Sequence, residues 1–307
     1  MELRRLEIRH LRYFLILSEE LHFQRAASRL HIEQSPLSRS IKELESELGV
    51  RLFERNRHGT RLTWAGVMFR DGVHRVMKAL EQAQASAHLA ASGYRGTLRI
   101  AVSEGVAVKH LSDLLTLSRR DEPRTHIQLS EVTFRHQVKG LQQDLYDATF
   151  AHAPSDDKDI VSIPIWDSPL VLVLPDRHPL LNLSPVPLAE ALRYPLLLPS
   201  RRTRPGTFQQ ITEPLPHPLP PFVEAASARL MFVQVSAGHG IGIASEHEIE
   251  AYKTLDLVSR PLAELVRPLV TYVLRRADAS SPELERFIDR AQQLVDTGQR
   301  LERSASA

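Results

Sequence analysis

The side chains best suited to chemistry in this 307-residue chain lie in Gln34-Ser35-Pro36-Leu37-Ser38-Arg39, and that chemistry is recognition rather than bond-making. An amide such as Gln34 carries a donor and an acceptor and can read an adenine edge, and Pro36 offers an apolar face to a thymine methyl. Ser38 and Arg39, one turn on, suit phosphate oxygens, which position a protein on a duplex without reading its sequence. Gln24, Arg25 and Lys42 complete the expected DNA-facing set on the helices. A basic segment follows: Arg51, Arg55, Arg57, His58 and Arg61 crowd around Asn56 and Gly59, both turn formers. Such a turn straddles phosphates or enters a minor groove. Each of these residues alone is an ordinary solvated side chain. Their company gives them meaning.

The elements that must hold them are legible from the spacing. Residues 23–30 form one short helical pattern, 31–33 are too few for anything but a turn, and a second helix begins at Gln34. Leu37, Ile41, Leu44 and Leu48 put an apolar stripe on that second helix, and Gly49 closes it. Pro36 fits within its first turn, where a missing N–H costs nothing. Ser35 is expected to cap that end. Two short helices joined by a tight turn place the end of the second in a major groove. Leu52 and Phe53 are expected to anchor the basic segment as a wing.

Beyond the wing, Thr63 is the expected N-cap of a long helix reaching about residue 92, with Ser92-Gly93 ending it. At 1.5 Å per residue it is ~43 Å long. Phe69, Val73, Val76, Leu80, Ala83, Ala87 and Ala90 alternate four and three apart, a heptad seam. So long a helix cannot bury that seam in so small a domain. The simplest partner is the same helix of a second copy; the other is the chain's own C-terminal part.

The formal charge of +2 hides an uneven distribution. Residues 1–62 hold 12 Lys/Arg and 9 Asp/Glu, residues 63–95 hold 4 and 2, and the remainder 23 and 26. A basic front and an acidic rest fit one end that meets a polyanion. Zero cysteines exclude disulfides, thiolate zinc sites and paired-thiol redox sensing. No signal peptide is read at the N-terminus and no apolar run approaches the ~18 residues of a membrane span. The expectation is a cytoplasmic protein with no membrane partner, metal or cofactor.

Nineteen of the twenty prolines follow residue 120, marking a change of architecture. Strands at 97–103, 127–132 and 147–151 alternate with helices at about 106–120 and 136–145, which argues a parallel sheet with crossover helices. Residues 170–174 are a wholly apolar strand. Residues 222–225 lead into a helix over 227–237, Gly238–Gly242 turn into another strand, and Ser245 with Glu248 reads as a capping box. A late strand at 270–274 and a helix from Ser281 are expected to return to the first sheet. Two α/β lobes result, joined by crossing strands near 163–166 and 267–270. A ligand would sit between them, at strand ends and helix starts. Candidates there are Ser103 with Glu104, Thr133 with Phe134, and His152 at the end of the third strand. A loop with Arg201, Arg202, Arg204, Thr207 and Phe208 adds guanidinium groups able to pair with an acid. Glu104 argues against a simple anion site, and Ser103 and Thr133 serve equally well as N-caps.

The chain resembles the LysR-type transcriptional regulators. The residues carrying this are Leu11-Arg12-Tyr13-Phe14, Phe23-x-Arg25-Ala26-Ala27, Leu30, Gln34-x-Pro36-Leu37-Ser38-Arg39, Ile41, Leu44-Glu45, Leu48-Gly49, Leu52-Phe53-x-Arg55 and Leu62-Thr63-x-Ala65-Gly66. One departure is that the proline stands at Pro36, where the family usually has it directly after the glutamine. The match is close over roughly the first fifth and rests on length and layout beyond it. The resemblance implies α plus α/β architecture. A winged helix-turn-helix (1–62) precedes a linker helix (63–95). An effector domain (96–307) follows, like the type 2 periplasmic binding fold, with lobe I at 96–164 and 270–307 and lobe II at 165–269. It implies double-stranded DNA, a homodimer and often a tetramer, a small-molecule effector, and contact with RNA polymerase as partners. An enzyme is disfavoured. No serine sits in a nucleophile elbow, and the 14 histidines show no H-E-x-x-H spacing. A solute-binding transport protein is disfavoured by the absence of a signal peptide and by the N-terminal DNA module. A regulator of this family acting without a small ligand remains the alternative.

Overall fold

A computed structural model describes residues 6–56, 59–216, 218–252, 254–264, 267–279 and 281–305, with backbone alone for 55–56 and 295–305. The chain divides into two compact units, Met1–His88 and Leu89–Ala307.

The first unit is built on α1 (Ile8–Glu20), α2 (Phe23–Leu30) and α3 (Gln34–Leu48). Apolar residues at helical spacing turn one face of each inward: Leu11, Phe14 and Leu17 from α1, Phe23, Ala26 and Ala27 from α2, Leu37, Ile41 and Leu44 from α3. The turn between α2 and α3 reverses on His31, whose φ of 55° is left-handed, and Ile32 N–H returns to Ala27 O at 3.1 Å. A two-stranded hairpin follows, β1 (Phe53–Asn56) and β2 (Gly59–Leu62), with Glu54 opposite Arg61. Its base is tied to α3, where Glu45 Oε1 accepts from the N–H groups of Leu52 (2.8 Å) and Phe53 (3.0 Å).

Helix α4 (Trp64–Ala91) starts against the same segment. Thr63 Oγ1 accepts from Gly66 N–H at 2.9 Å and donates to Arg51 O at 2.8 Å, while Thr63 N–H donates to Leu52 O at 2.9 Å. Thr63 is therefore the cap the sequence predicts. A Cβ on Gly66 would stand 2.2 Å from Leu52 O, so only glycine lets helix and wing approach this closely. The ring of Phe14 lies 5.4 Å from Phe53 and 5.0 Å from Phe69, joining α1, wing and α4 in one apolar core. The 28 residues of α4 span ~42 Å. It ends as expected, with Tyr94 N–H folding back to Leu89 O at 3.1 Å.

In the second unit, β3 (Gly96–Val102), α5 (Val108–Asp121), β4 (Thr125–Glu131), α6 (Phe134–Gln142), β5 (Ala148–Ala151) and β6 (Ile160–Ser168) begin lobe I. Lobe II then runs through β7 (Leu170–Pro175), α7 (Leu188–Ala191), β8 (Leu196–Pro199), α8 (Pro205–Thr212), β9 (Phe222–Ala225), α9 (Ala228–Ser236), β10 (Ile241–Ser245), α10 (Glu246–Glu250) and β11 (Leu257–Pro261). The chain returns to lobe I in β12 (Leu269–Arg276) and α11 (Pro282–Ala305). The sheet orders are β4-β3-β5-β12-β6 and β11-β7-β10-β8-β9. The return to the first sheet is thus as expected, but the sheets are mixed rather than parallel. β12 runs antiparallel to β5 and β6, and β7 antiparallel to β10 and β11.

The first crossing falls later than the sequence suggested. Residues 166–168 still pair with β12. Trp166 sits in the lobe I core, its indole stacked 4.9 Å from Phe150 and its Nε1–H donating to Ala291 O at 3.1 Å. Strands β8 and β11 carry no alternating pattern; β8 is three leucines closed by proline. In lobe II, β7 is buried on both faces: Leu172 and Leu174 face one apolar cluster and Val173 the other.

Candidate nucleic-acid interface and inter-lobe cleft

Helix α3 presents its first turn to solvent. Gln34, Ser35, Pro36, Arg39 and Lys42 are exposed and Ser38 half-buried, while Leu37, Ser40 and Ile41 point inward. The expected cap at Ser35 is corrected by the structure. The N-cap position is Glu33, with no side-chain cap bond, and Ser35 lies inside the first turn. The first-turn N–H groups therefore receive no bond from the cap side chain and suit a phosphate. No ion pair holds Arg39 or Lys42 among the described residues.

Two other predicted DNA residues are already engaged within the chain. Arg25 Nη2 donates to Glu20 O at 2.6 Å and its Nε lies 3.4 Å from Glu20 Oε2. Arg61 donates to Glu54 Oε2 through Nε (2.9 Å) and Nη2 (2.7 Å), across the register of the wing. Both remain exposed, so a phosphate must compete with a carboxylate. Gln24 is exposed on the outer face of α2. Arg55 is placed by its backbone on β1, opposite Thr60. Arg57 and His58 lie outside the described residues.

The predicted seam on α4 splits. Val73 is 2% exposed and Phe69 packs on Phe14, so both belong to the first unit's own core and are corrected as pairing residues. Val76 is 53% exposed, Leu80 half-buried, Ala83 and Ala87 exposed. The seam that remains open begins at Val76.

Between the lobes, Ser103, Glu104, Phe134, His152, Thr203, Arg204 and Thr207 line a narrow cleft. A cavity of about 340 Å³ continues from it past His152 and Gly206 to Gln209, Gln210, Glu213 and Tyr272. Arg204 lies at its base, its side chain 2% exposed, with Nη2 2.8 Å from Oε1 of Glu248, itself 4% exposed. Glu248 stands where the capping-box reading put it, but only half of that reading holds. Ser245 Oγ accepts from Glu248 N–H at 3.2 Å, whereas the carboxylate turns inward to Arg204. Burial pushes the Glu248 carboxyl up, opposed by the neighbouring guanidinium, and the charge of Glu104 adds to the rise. Arginine does not shed its proton, so Glu248 serves as its counter-ion. Burial, with Arg204 nearby, pushes His152 down to about 3, leaving it neutral; its Nδ1 lies 3.0 Å from Thr207 Oγ1.

Other predicted cleft residues have different work. Ser103 caps nothing, since α5 starts from Ala107; its hydroxyl donates to Gln137 Oε1 at 3.1 Å. Glu104 Oε1 accepts from Ala228 N–H at 2.8 Å, tying lobe I to the start of α9 in lobe II. Thr133 occupies the N-cap of α6 without a cap bond and meets His136 Nδ1 at 2.8 Å. Phe208 is buried in the lobe II core against Phe222 and is corrected as a ligand residue. Arg202 is exposed and does not line the cleft. Two residues escaped the sequence reading. Buried Gln137 clamps Ser103 to Phe150 O, and Gln210 bridges His152 O to both backbone groups of Val270. These bonds link residues 13 to 60 positions apart, which no local pattern signals.

A helix-turn-helix with an exposed first turn, followed in the same chain by a two-lobed cleft domain, defines the class of DNA-binding regulators that carry a sensor domain. Family models match both parts: the bacterial regulatory helix-turn-helix protein, lysR family, over residues 8–67, and the LysR substrate binding domain over 91–296. The chain belongs to the LysR family of transcriptional regulators. It is 34% identical over 242 residues to the HTH-type transcriptional regulator YnfL of Escherichia coli (strain K12), covering 78% of this chain and 82% of that one. It is 37% identical over 201 residues to CatR of Pseudomonas putida, covering 66% and 68%. The crystal structure of CbnR, a LysR family transcriptional regulator, superposes with a TM-score of 0.75 at 24% identity, over 94% of this chain and 99% of that chain. CbnR complexed with its target DNA gives 0.77 at 23%, with the same coverage. Among the described residues no helix is long and apolar enough to cross a membrane.

Proposed function

We propose that α3 docks its first turn in the major groove, with Gln34, Ser35 and Pro36 at base edges and Ser38, Arg39 and Lys42 on phosphates. The wing takes the neighbouring backbone through Arg55, Arg57 and Arg61. The observation that carries this is the exposed, uncapped start of α3, whose polar side chains lie on the opposite side from its buried stripe. Two copies pair along the open seam from Val76 to Ala87, and two pairs make a tetramer on an interrupted palindrome. A small effector in the cleft favours one arrangement of the lobes and so shifts a pre-existing equilibrium of the assembly, changing DNA bending and contact with RNA polymerase.

The test is footprinting and gel shift on the DNA beside the protein's own gene, at two salt concentrations. Protection of an interrupted palindrome is the expected result, with log affinity falling linearly in log salt. A chain that ignores this DNA even in dilute buffer sinks the reading. Self-pairing is checked by sedimentation of a Val76→Asp, Ala83→Asp variant, expected as a single-chain species.

A further inference from the structure

We infer that Glu54 attenuates the wing: it occupies the guanidinium of Arg61 and lowers the grip of the hairpin on every DNA sequence alike. This rests on the reading of the wing as a phosphate-binding element. Phe53 and Leu62 oppose each other in the hairpin register and pack into the core of the first unit. Side chains alternate along a strand, so the next pair, Glu54 and Arg61, stands on the opposite face, exposed to water. Directly opposed residues carry their Cβ atoms about 5 Å apart. Arg61 donates to one carboxylate oxygen, Glu54 Oε2, through Nε at 2.9 Å and Nη2 at 2.7 Å. A phosphate approaching that edge of the guanidinium finds the carboxylate already there. It must displace Glu54 and then stay beside its charge.

The other cations of this unit are arranged differently. Arg39 and Lys42 hold no ion pair among the described residues and meet phosphate unopposed. Arg25 does face an acid, but its Nη2 also donates to the backbone O of Glu20 at 2.6 Å, and Arg29 Nη1 shares that carboxylate through Oε1 at 3.2 Å. There the acid fixes arginines to the end of α1, and the carbonyl remains whatever side chain is present. Among the described residues Arg61 bonds to nothing but the Glu54 carboxylate. The two side chains are 67% and 49% exposed, and ion pairs so open to water contribute little to folding. Glu54 therefore acts on DNA binding without holding the hairpin together. Phosphate contacts supply most of the binding that is blind to sequence. A screened wing leaves the base-reading turn of α3 a larger share of the total.

The experiment uses the full chain and measures affinity, by fluorescence anisotropy across a salt series, for two duplexes: the DNA beside the protein's own gene and a shuffled sequence of equal length. Glu54→Gln should bind both about threefold or more tighter, with the log–log salt slope steeper by up to about one unit per wing. Its unfolding midpoint should match the parent's, and Glu54→Thr, a neutral residue suited to a strand, should behave likewise. In an Arg61→Gln background most of the gain should disappear. Glu81→Gln removes the same charge about 26 Å along α4, well beyond the ~8 Å over which salt screens, and should change neither quantity. Weaker binding by Glu54→Gln makes the acid a support for Arg61 and overturns the inference; unchanged binding does the same. A gain that persists in full without Arg61, or that Glu81→Gln reproduces, overturns it as well. All of these leave DNA binding itself standing. Failure of parent and variants to bind either duplex overturns both the inference and the reading beneath it.

Discussion

The two ends of this chain treat polar side chains in opposite ways. On α3, Gln34, Ser35, Arg39 and Lys42 are held out by a rigid apolar stripe and lack ionic partners among the described residues. In the cleft, Arg204 and Glu248 are buried against each other, and buried His152 meets Thr207. A side chain waiting for an outside partner contributes little to folding. A buried charge must be matched before any ligand arrives. The first site is therefore altered by mutation without cost to the fold. The second sits inside the stability of the domain that carries it.

The sharpest way to break this contrast is in the cleft. Arg204→Met or Glu248→Leu alone leaves a buried charge without its partner and should cost about 3–5 kcal/mol in denaturant unfolding. The double variant should cost less than either, since an apolar pair replaces an ionic one. Equal costs for single and double variants would mean the pair is not a closed unit. On α3 the readout moves from stability to DNA. Gln34→Ala should relax preference at one base pair, with about 1–3 kcal/mol of discrimination lost, measured on a panel of operator variants.

Acid titration sharpens the buried side. His152 has a folded pKa near 3, below its unfolded value. The unfolded chain therefore binds a proton that the folded chain refuses as pH falls below ~6.5, and stability drops by up to ~1.4 kcal/mol per pH unit until about pH 3. In His152→Asn that component of the slope should vanish; an unchanged slope assigns acid lability elsewhere. The smallest effect belongs to Arg39→Ala. It should weaken binding to every sequence, lower the salt slope by about one unit, and leave stability within about 0.5 kcal/mol. Binding as tight as the parent's at every salt concentration would remove Arg39 from the phosphate set.

The front of the chain was legible because its information is local. The Leu37, Ile41 and Leu44 stripe, the three-residue turn and Thr63 lie within one or two helical turns of what they determine. The cleft was legible only by position. Ser103, His152 and Arg204 could be placed at strand ends and a helix start, but what they bond to could not. Glu248 matched a capping pattern and satisfied it with its backbone, which concealed the use of its side chain. Phe208 and Arg202 follow the right loop, yet one is drawn into the core and the other left in water. Which neighbour of a strand end faces inward depends on pairings across 50 residues or more, such as His152 with Thr207. The split of the α4 seam has the same origin, because heptad spacing cannot say that Phe14 reaches Phe69 before another chain does.

The junction at Leu52 has a mechanical consequence. Thr63 and Gly66 fasten the first turn of α4 to the carbonyl at the root of the hairpin. With no slack there, a ~42 Å rod is welded to the hairpin, and a tilt of about 5° carries its far end through roughly 4 Å. Conversely, a displacement of one base-pair step at the distant end of the rod reaches the wing as a rotation of a few degrees. Loosening that weld would uncouple the orientation of the hairpin from whatever moves the rod.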